Sequence, residues 1–455
     1  MTTRNNVCII KITHEVALLL YHDMSNMSTV FREKREENAM ETRTILHADL
    51  NNFYASVECM LNPELRSKPV AVCGRVEERH GIVLAKNYLA KAYGVKTGES
   101  VMEARFKCPG LVMVPPHYRE YMKYSRLVRE IYMDYTDLVE PYGMDENWLD
   151  VTGSNHLFGD GETIANTIRE RVKFELGLTV SVGVSFNKIF AKLGSDMKKP
   201  DAVTCITPEN FRDKIWGLPA EEMLGVGRSA SKELKRFGIH TIGQLAQADE
   251  MLLSLRFGIN GPRMKQFANG EDTSKVMPSD YHFPVKSVGN GTTFLTDLHT
   301  EVEVKPMILA LADNVAGRLR MAHKKARGIA LMVRCNDLSW KEWQAKLDHL
   351  SQNAGELAGR AFAVFHQNYP WVKPLRAMAV RAIRLEDEDV SEQLSIFRDG
   401  ECLRKMESVD RTVDEIRSRF GQYAIRSAAT MRLDKLPKID EDIELTMPSG
   451  MLTLA

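Results

Sequence analysis

Three acidic residues stand where they could bind divalent metal ions. Asp49 ends a short strand-like run that starts at Thr44, and Asp145 and Glu146 lie side by side between two later strand-like runs. Hard cations such as Mg²⁺ prefer oxygen ligands, and a trio of carboxylates on one sheet is what two-metal phosphoryl or nucleotidyl transfer needs. Adjacent acids are also common on solvated turns, so the spacing alone leaves both interpretations open.

The segments around these acids predict an α/β pattern that brings them together. Apolar runs and helical periods follow one another in the order β-α-β-β-α-β, which is the split βαβ arrangement of ferredoxin-like sheets. The strands are predicted at 44–49, within 137–152 and at 179–184, and the helices at 118–136 and 161–176. Residues 53–116 form an insertion within this order. Adjacent strands would place Asp49 beside Asp145 and Glu146.

The composition is that of a multidomain globular protein. At 455 residues the chain should fold as several domains. Lys and Arg number 61, as do Asp and Glu, so the formal net charge is zero and a polyanionic partner must bind local basic patches. This balance argues against a histone-like protein.

The cysteines and the apolar runs indicate a cytoplasmic protein. The seven cysteines include no C-x-x-C pair, so neither a zinc site nor a disulfide framework is predicted. The clean apolar run 16–21 is far below the ~20 residues that span a bilayer, which predicts no membrane segment. Residues 1–43 are either an N-terminal helical extension or sequence upstream of a true start at Met40.

Four motifs occur in order along the chain. They are DLNNFYASVE (49–58), KNYLAKAYGV (86–95), MDENWLDVTG (144–153) and AKLGSDMKKP (191–200). Together they resemble the Y family of translesion DNA polymerases, in its bacterial DNA polymerase IV-like branch, and the resemblance extends over 44–397. It implies template-directed, error-prone DNA synthesis past damaged bases, in which deoxynucleotides are added to a primer 3′-end without proofreading.

The resemblance also implies an α+β multidomain fold of the right-hand polymerase type. The expected parts are a ferredoxin-like palm, small fingers, a helical thumb with a helix-hairpin-helix and a separate α/β little finger. Their expected bounds are an N-terminal extension at 1–43, the palm at 44–52 and 117–206, the fingers at 53–116, the thumb at 207–272, a linker at 273–285, the little finger at 286–386, a connector at 387–400 and a C-terminal tail at 401–455.

The metal ligands of the family match the three acids. Asp49, Asp145 and Glu146, with the backbone carbonyl of Leu50, would hold two Mg²⁺ ions. One ion would activate the primer 3′-hydroxyl, and the other would bind the triphosphate and offset charge on the departing pyrophosphate.

The nucleotide contacts of the family match five further residues. Tyr54 stands at the steric gate, an aromatic ring that clashes with a ribose 2′-hydroxyl, and Phe53 precedes it. Tyr88, Lys91 and Lys199 match the triphosphate contacts. Outside the motifs, the same residues would be core aromatics and solvated lysines. Lys91 stands where the family more often has Arg, so we expect a weaker grip on the triphosphate there.

Two segments match the DNA contacts of the family. The turn that contains Gly225, Gly227 and Arg228 resembles a helix-hairpin-helix, whose backbone N–H groups face a DNA phosphate, although a simple tight turn has the same residues. A basic run in the little-finger region could hold the duplex, and a solvated helix end would give the same pattern. Its cations include Arg318, Arg320, Lys324 and Lys325.

A short peptide after the last predicted domain resembles the bacterial sliding-clamp binding motif. Gln393 would make polar contacts, Leu394 and Phe397 would fill a groove, and Ile396 completes the motif. The helical period at 409–420 could fold back on the body or bind a partner. The expected partners are primer-template DNA, deoxynucleoside triphosphates and the clamp, and since no motif indicates a homo-oligomer we expect a monomer.

Two rival functions share part of this pattern. A nucleotide cyclase on a ferredoxin-like sheet can have the same carboxylates, but it does not account for Gly225 and Gly227, the basic run or the clamp-like peptide. A non-catalytic DNA- or clamp-binding protein would not need the intact acids Asp49, Asp145 and Glu146.

Overall fold

The structure is a computed structural model that describes residues 43–74, 81–390 and 400–431. The predicted N-terminal extension with Met40, and the clamp-like peptide at 393–397, lie outside the described residues.

Twelve strands are found in the described residues. In chain order they are β1 Ile45–Leu50, β2 Val70–Cys73, β3 Val83–Lys86, β4 Val112–Val114, β5 Val139–Pro141, β6 Glu146–Asp150, β7 Val180–Ser185, β8 Val203–Cys205, β9 Ser287–Leu298, β10 Lys324–Cys335, β11 Trp340–Ser351 and β12 Leu375–Asp387.

Fifteen α-helices accompany these strands within the same described ranges. They are α1 Phe53–Leu61, α2 Tyr88–Ala92, α3 Val101–Lys107, α4 Tyr118–Met133, α5 Asn155–Phe158, α6 Gly161–Leu176, α7 Lys188–Met197, α8 Phe211–Ile215, α9 Arg228–Arg236, α10 Ile242–Gln247, α11 Glu250–Phe257, α12 Asn260–Ala268, α13 Glu301–Met321, α14 Ala354–Asn368 and α15 Gly400–Phe420. Each described helix is too short or too polar to traverse a lipid bilayer.

Packing divides the chain into two compact units. The first unit takes the described parts of Met1–Asn51 together with Ser125–Asp280, and the second takes Asn52–Tyr124 together with the described parts of Tyr281–Ala455.

The first unit is built on a five-stranded sheet in the order β5-β6-β1-β7-β8. β1 lies between β6 and β7 and is antiparallel to both, while β8 adds to the edge parallel to β7. Without β8 this is the ferredoxin-like strand order that the sequence predicts. All six residues of β1 are buried, so the strand that carries Asp49 is the rigid centre of the unit.

Helix α7 packs unusually close to the centre of this sheet. A Cβ atom on Gly183 of β7 would lie only 1.9 Å from the Ala191 carbonyl oxygen, so only glycine allows the approach. The close packing fixes the side chains of α7 against the strands that carry the acids. The rest of the unit is a helical body, α8 to α12, around an apolar core that includes Leu234, Ile242 and Leu253.

The second unit contains two sheets, each with a core of its own. Residues 52–124 hold a three-stranded sheet in the order β3-β2-β4, and the later part of the unit holds a four-stranded antiparallel sheet in the order β11-β10-β12-β9. Helices α13 and α14 pack together on the four-stranded sheet around Phe294, Leu311 and Phe365, which are buried.

Helix α15 packs back onto the four-stranded part of this unit. Its acidic residues Glu407 and Asp414 bind Lys325 and Arg320, and its Arg417 binds Asp313. The helical period predicted at 409–420 is therefore a helix, and of the two roles left open for it, folding back on the body is the one observed.

Candidate active site

Asp49, Asp145 and Glu146 come from two neighbouring strands of the five-stranded sheet. Asp49 lies near the end of β1 and is paired across the ladder with Glu146, the first residue of β6. The Leu50 N–H donates to the Asp145 carbonyl oxygen at 3.0 Å, which holds the third acid beside the other two. The fold therefore brings the three predicted acids together.

The turn that leads into β6 is held on both sides of Asp145. Gly143 has a φ of +95°, in the left-handed region that favours glycine. The Ser125 hydroxyl donates to the Met144 carbonyl oxygen at 2.5 Å in a buried position. The backbone of Asp145 is thus fixed before any ligand binds.

Burial and mutual repulsion act strongly on two of the acids. Burial raises the pKa of Asp49 to about 6, and the neighbouring acids add to the shift although Lys199 opposes it. Burial and the charges of Asp49 and Glu146 raise the pKa of Asp145 to about 7. Two buried carboxylates that repel each other gain most from a nearby cation.

Glu146 is different because it has basic partners. Burial alone would raise its pKa, but the contacts of His47 and Lys192 outweigh burial and hold the pKa at about 2. The Lys192 ammonium donates to Glu146 Oε2, and His47 Nε2 lies 3.2 Å from the same oxygen. Glu146 is therefore ionised and fixed in direction.

Lys199 is the basic partner of Asp49, although burial outweighs it and still raises the pKa of Asp49. Its Nζ lies 2.8 Å from Asp49 Oδ2 and 2.8 Å from Asp196 Oδ1. Lys199 is the one predicted triphosphate contact in this unit, and the structure places it directly at the acids.

Sequence reasoning missed His47 and Lys192. His47 is fully buried, and its Nδ1 lies 2.8 Å from Ser195 Oγ, which donates to the Lys192 carbonyl oxygen. His47 stands two residues before Asp49, and alternation along β1 puts both side chains on one face of the strand. That alternation, and the place of Lys192 within the AKLGSDMKKP motif, were the available signals.

The donor set fits a divalent cation. Three carboxylates supply only oxygen atoms, which hard cations prefer, and a bound cation would favour the ionised forms of Asp49 and Asp145, whose pKa values burial and mutual repulsion raise. Among the described residues, no group of three or more Asp, Glu, His or Cys side chains is arranged so that it could already hold a metal ion. Lys199 and Lys192 hold two of the three carboxylates instead.

The remaining predicted nucleotide contacts lie in the second unit. Phe53 and Tyr54 begin α1, and Tyr88 and Lys91 lie on α2, where the Lys91 Nζ is 5.6 Å from the Tyr88 ring centroid. Asn87 fixes the start of α2, because its side-chain oxygen accepts from the N–H groups of Ala90 and Val70, each at 3.0 Å.

The predicted helix-hairpin-helix turn contains one glycine with a positive φ and one that begins a helix. Gly225 has a φ of +94°, and Gly227 is the N-cap of α9 without a side-chain cap. Val226 between them is buried in the helical core, while Gly225, Gly227 and Arg228 are exposed. The uncapped N–H groups at the start of α9 suit an anion.

The predicted basic run is engaged within its own unit. Arg320 donates to both oxygens of Asp414, at 2.5 and 2.8 Å, and Lys325 donates to Glu407 at 2.8 Å. Lys324 and Arg318 also have partners, namely the Asp387 carboxylate and the Gly289 carbonyl. Because these cations already have partners, only the family resemblance supports a role of the basic run in DNA binding.

Comparison with known proteins covers most of the chain. Residues 48–196 match the impB/mucB/samB family, and residues 285–396 match the C-terminal domain of the same family. The DNA polymerase IV of Acetivibrio thermocellus is 51% identical over 384 residues, which are 84% of this chain and 96% of that protein. DNA polymerase IV 1 of Bacillus subtilis is 38% identical over 398 residues, or 87% and 95% of the two chains.

The chain belongs to the bacterial DNA polymerase IV-like branch of the Y family. It is therefore a DNA-directed DNA polymerase of the translesion class, with the divalent-metal requirement of that class. A solved Y-family DNA polymerase chimera has the same fold, with a TM-score of 0.67 and 22% identity over 75% of this chain and 99% of that one. Membership in the Y family removes the nucleotide cyclase as a rival, and the right-hand polymerase fold is confirmed.

Proposed function

We propose that Asp49, Asp145 and Glu146, with the Leu50 carbonyl, hold two Mg²⁺ ions at which this Y-family polymerase extends a DNA primer. The observation that supports it best is the ladder pairing of Asp49 with Glu146, together with the hydrogen bond from Leu50 to Asp145. When bound, the ions lower the barrier to in-line attack by stabilising the attacking and leaving oxygens. The protein groups supply position and charge.

The charged neighbours of the acids have separate tasks in this proposal. Lys199 binds the triphosphate of the incoming nucleotide, since a cation that already bridges two acids can exchange one of them for a phosphate oxygen. Lys192 and His47 keep Glu146 ionised and oriented. No side chain needs to act as a general base.

The second unit supplies nucleotide selection. Tyr54, preceded by Phe53, acts as the steric gate against a ribose 2′-hydroxyl, and Tyr88 and Lys91 bind the triphosphate. In this assignment the five-stranded sheet belongs to the palm, the three-stranded sheet to the fingers and the four-stranded sheet to the little finger, while α8 to α12 belong to the thumb.

DNA and clamp contacts complete the proposal. Gly225, Gly227 and Arg228 bind the DNA backbone without regard to sequence. The basic run with Arg318, Arg320, Lys324 and Lys325 adds contacts to the duplex, and the peptide with Gln393, Leu394, Ile396 and Phe397 tethers the enzyme to the sliding clamp. We propose a monomer that acts on cytoplasmic DNA.

Primer extension with matched variants tests the catalytic assignment. Asp49→Asn, Asp145→Asn and Glu146→Gln should each lower metal-dependent extension of an undamaged primer-template by at least about 100-fold, because each removes one ligand charge. DNA binding should stay within about twofold of the unaltered protein. Asp134→Asn, a surface substitution in the same unit, is the control and should extend normally. Full extension by Asp145→Asn would overturn the assignment.

A further inference from the structure

We propose that Tyr121, anchored by Glu58, positions the ring of Tyr54 and so sets the discrimination against ribonucleotides. This inference rests on the proposed role of Tyr54 as the steric gate. The observation behind it is a parallel ring stack: the Tyr54 and Tyr121 centroids are 4.2 Å apart and their planes differ by 8°. Tyr121 is a positioning residue in this account, because it acts through the ring of Tyr54.

The ring of Tyr121, which supports that of Tyr54 in the stack, is fixed in place. Tyr121 is fully buried, and its hydroxyl donates to Glu58 Oε1. Burial raises the pKa of the Tyr121 phenol, so the hydroxyl stays protonated and remains a donor. Glu58 is itself buried, and both its oxygens lie near His117 Nδ1, at 2.9 and 3.1 Å. A buried carboxylate with two partners is costly to move.

Helix geometry ties the anchor to the gate. Tyr54 and Glu58 are four residues apart on α1 and therefore lie on one face of that helix. His117 and Tyr121 have the same spacing at the start of α4, where the Tyr121 N–H donates to the His117 carbonyl oxygen. Helix α1 thus places the Tyr54 ring and the Glu58 carboxylate against the Tyr121 ring and the His117 imidazole at the start of α4. A shift of Tyr54 would have to break the ring stack.

Two further aromatic side chains limit sideways movement of the gate. Tyr118 meets Tyr54 edge-on, with centroids 6.0 Å apart and planes at 84°. Phe53 tilts against both stacked rings, at centroid distances of 5.6 and 6.2 Å. Tyr54 is partly exposed whereas Tyr121 is not, so the stack carries an accessible ring on an inaccessible support.

Sugar discrimination responds to ring position rather than to ring presence alone. A gate excludes a 2′-hydroxyl by close steric contact, and a ring that can tilt loses that contact while leaving the deoxynucleotide pose intact. Tyr121→Leu should therefore lower the ratio of kcat/KM for deoxynucleotides over ribonucleotides by about fivefold to tenfold, which is what the loss of one aromatic stack is worth. The change should come from a lower KM for ribonucleotides.

The experiment compares single-nucleotide incorporation of dCTP and CTP by the full-length protein on one primer-template. Tyr121→Phe keeps the ring and should retain the ratio within about twofold, while Glu58→Gln weakens the anchor and should lower the ratio about twofold to threefold. Tyr124→Leu, on the same helix but outside the aromatic cluster, is the matched control and should leave the ratio unchanged. A general folding defect would lower kcat/KM for both nucleotides by the same factor and leave their ratio unchanged.

Tyr54→Ala separates this inference from the gate assignment. If Tyr54→Ala does not relax sugar selection, the gate assignment fails and the inference falls with it. If Tyr54→Ala relaxes selection but Tyr121→Leu and Glu58→Gln do not, the inference alone is overturned. The double variant Tyr54→Ala with Tyr121→Leu should be no less selective than Tyr54→Ala, because both act through one ring. Should Tyr121→Leu fail to fold, Glu58→Gln decides: an unchanged ratio contradicts the inference.

Discussion

Lys199 connects the placement of the acids with the substrate binding that we propose. Its ammonium lies 2.8 Å from carboxylate oxygens of both Asp49 and Asp196. Burial lowers its pKa, but the two acids outweigh burial and raise it, so the side chain is charged throughout the neutral range. A permanent cation beside buried acids is a ready partner for an incoming triphosphate.

Removal of this cation should weaken nucleotide binding more than chemistry. We expect Lys199→Met to raise the KM for deoxynucleotides by about tenfold or more, since a charge-assisted phosphate contact is worth about 1.5–3 kcal/mol. Steady-state single-nucleotide incorporation measures it. Lys198→Met, an exposed neighbour, is the control. An equal KM in the two variants would contradict the role of Lys199.

At the residue scale the sequence indicates the proposed metal ligands more directly than the side chains that hold them in place. The acids and Lys199 stand in motifs, so the resemblance named them directly. His47 and Lys192 were not predicted because their contribution depends on which side chains face Glu146, and that is set by the close packing of α7 on β7. Tyr121 was missed for a similar reason: it lies far along the chain from the ring on which it stacks.

The turn before α9 contains two glycines. Its conformation requires glycine at 225 but accepts a side chain at 227. Gly225 has a φ of +94°, where a side chain is strained. Gly227 has a φ of −74° and extended geometry, and a Cβ there would meet nothing within 4 Å. A Cβ at Gly225 would also meet nothing within 4 Å, so the two positions differ in backbone conformation and not in the space around them.

Gly225→Ala should destabilise the helical body by about 1 kcal/mol, because the Cβ of alanine is strained in the left-handed backbone conformation. It should also weaken duplex binding about threefold or more on any sequence, since the N–H groups of the turn move with the backbone. Gly227→Ala is the control and should change urea stability by less than about 0.5 kcal/mol. Equal stability losses in the two variants would contradict the account of the turn.

Helix α15 is attached by charge rather than by an apolar face. Asp414 binds the largely buried Arg320, and Glu407 binds Lys325. Arg417 and Arg411 bind Asp313 and Glu388 in return. Within the described residues, the apolar core of the four-stranded part draws on α13 and α14 but not on α15.

Salt should therefore loosen α15 selectively. Raising the salt from 0.1 to 1 M shortens the Debye length from about 10 to about 3 Å, which weakens the exposed pair of Arg411 with Glu388 most and the partly buried pairs of Arg320, Lys325 and Arg417 less. We expect amide hydrogen exchange in α15 to become at least about threefold faster, while α13, with its buried apolar face, serves as the internal reference. Asp414→Asn should have the same effect at low salt. If neither high salt nor Asp414→Asn accelerates amide exchange in α15, the helix is not attached by charge.

The sequence predicted the strands and the helix nearest the three acids. It missed one strand and one helix, β11 and α14, in the later part of the chain. The helix predicted at 161–176 has those bounds, and β1 and β7 differ from prediction by one residue at each end. β11 was missed because it is a largely exposed strand at the edge of its sheet, and charged residues such as Lys341, Glu342 and Asp348 interrupt its apolar run. α14 was missed because Gly355 and Gly359 interrupt its helical pattern.

At the scale of the whole molecule, zero net charge gives a reason for the clamp-binding peptide proposed at 393–397. Lys plus Arg and Asp plus Glu are equal at 61, so the chain as a whole does not attract DNA. Several predicted DNA-binding cations are also engaged by acids of their own unit. A tether that raises the local concentration of the enzyme at the primer end would compensate for this weak attraction.

Loss of the tether should leave chemistry intact. We expect the double substitution Leu394→Ala and Phe397→Ala to abolish stimulation by the sliding clamp while clamp-free extension stays within about twofold. Extension on primed circular DNA, with and without loaded clamp, measures both. Ser395→Ala, within the same peptide, should keep the stimulation. Stimulation that survives the double substitution would remove the peptide from the account.

The most direct test of the central claim is to count metal ions at the three acids. Mn²⁺ binding, followed by electron paramagnetic resonance with primer-template and a non-hydrolysable deoxynucleotide present, should give two tightly bound ions per chain. Asp49→Asn and Asp145→Asn should each lose at least one of them, while Asp134→Asn keeps both. The same number of bound ions in all four proteins would contradict the assignment of Asp49 and Asp145 as metal ligands.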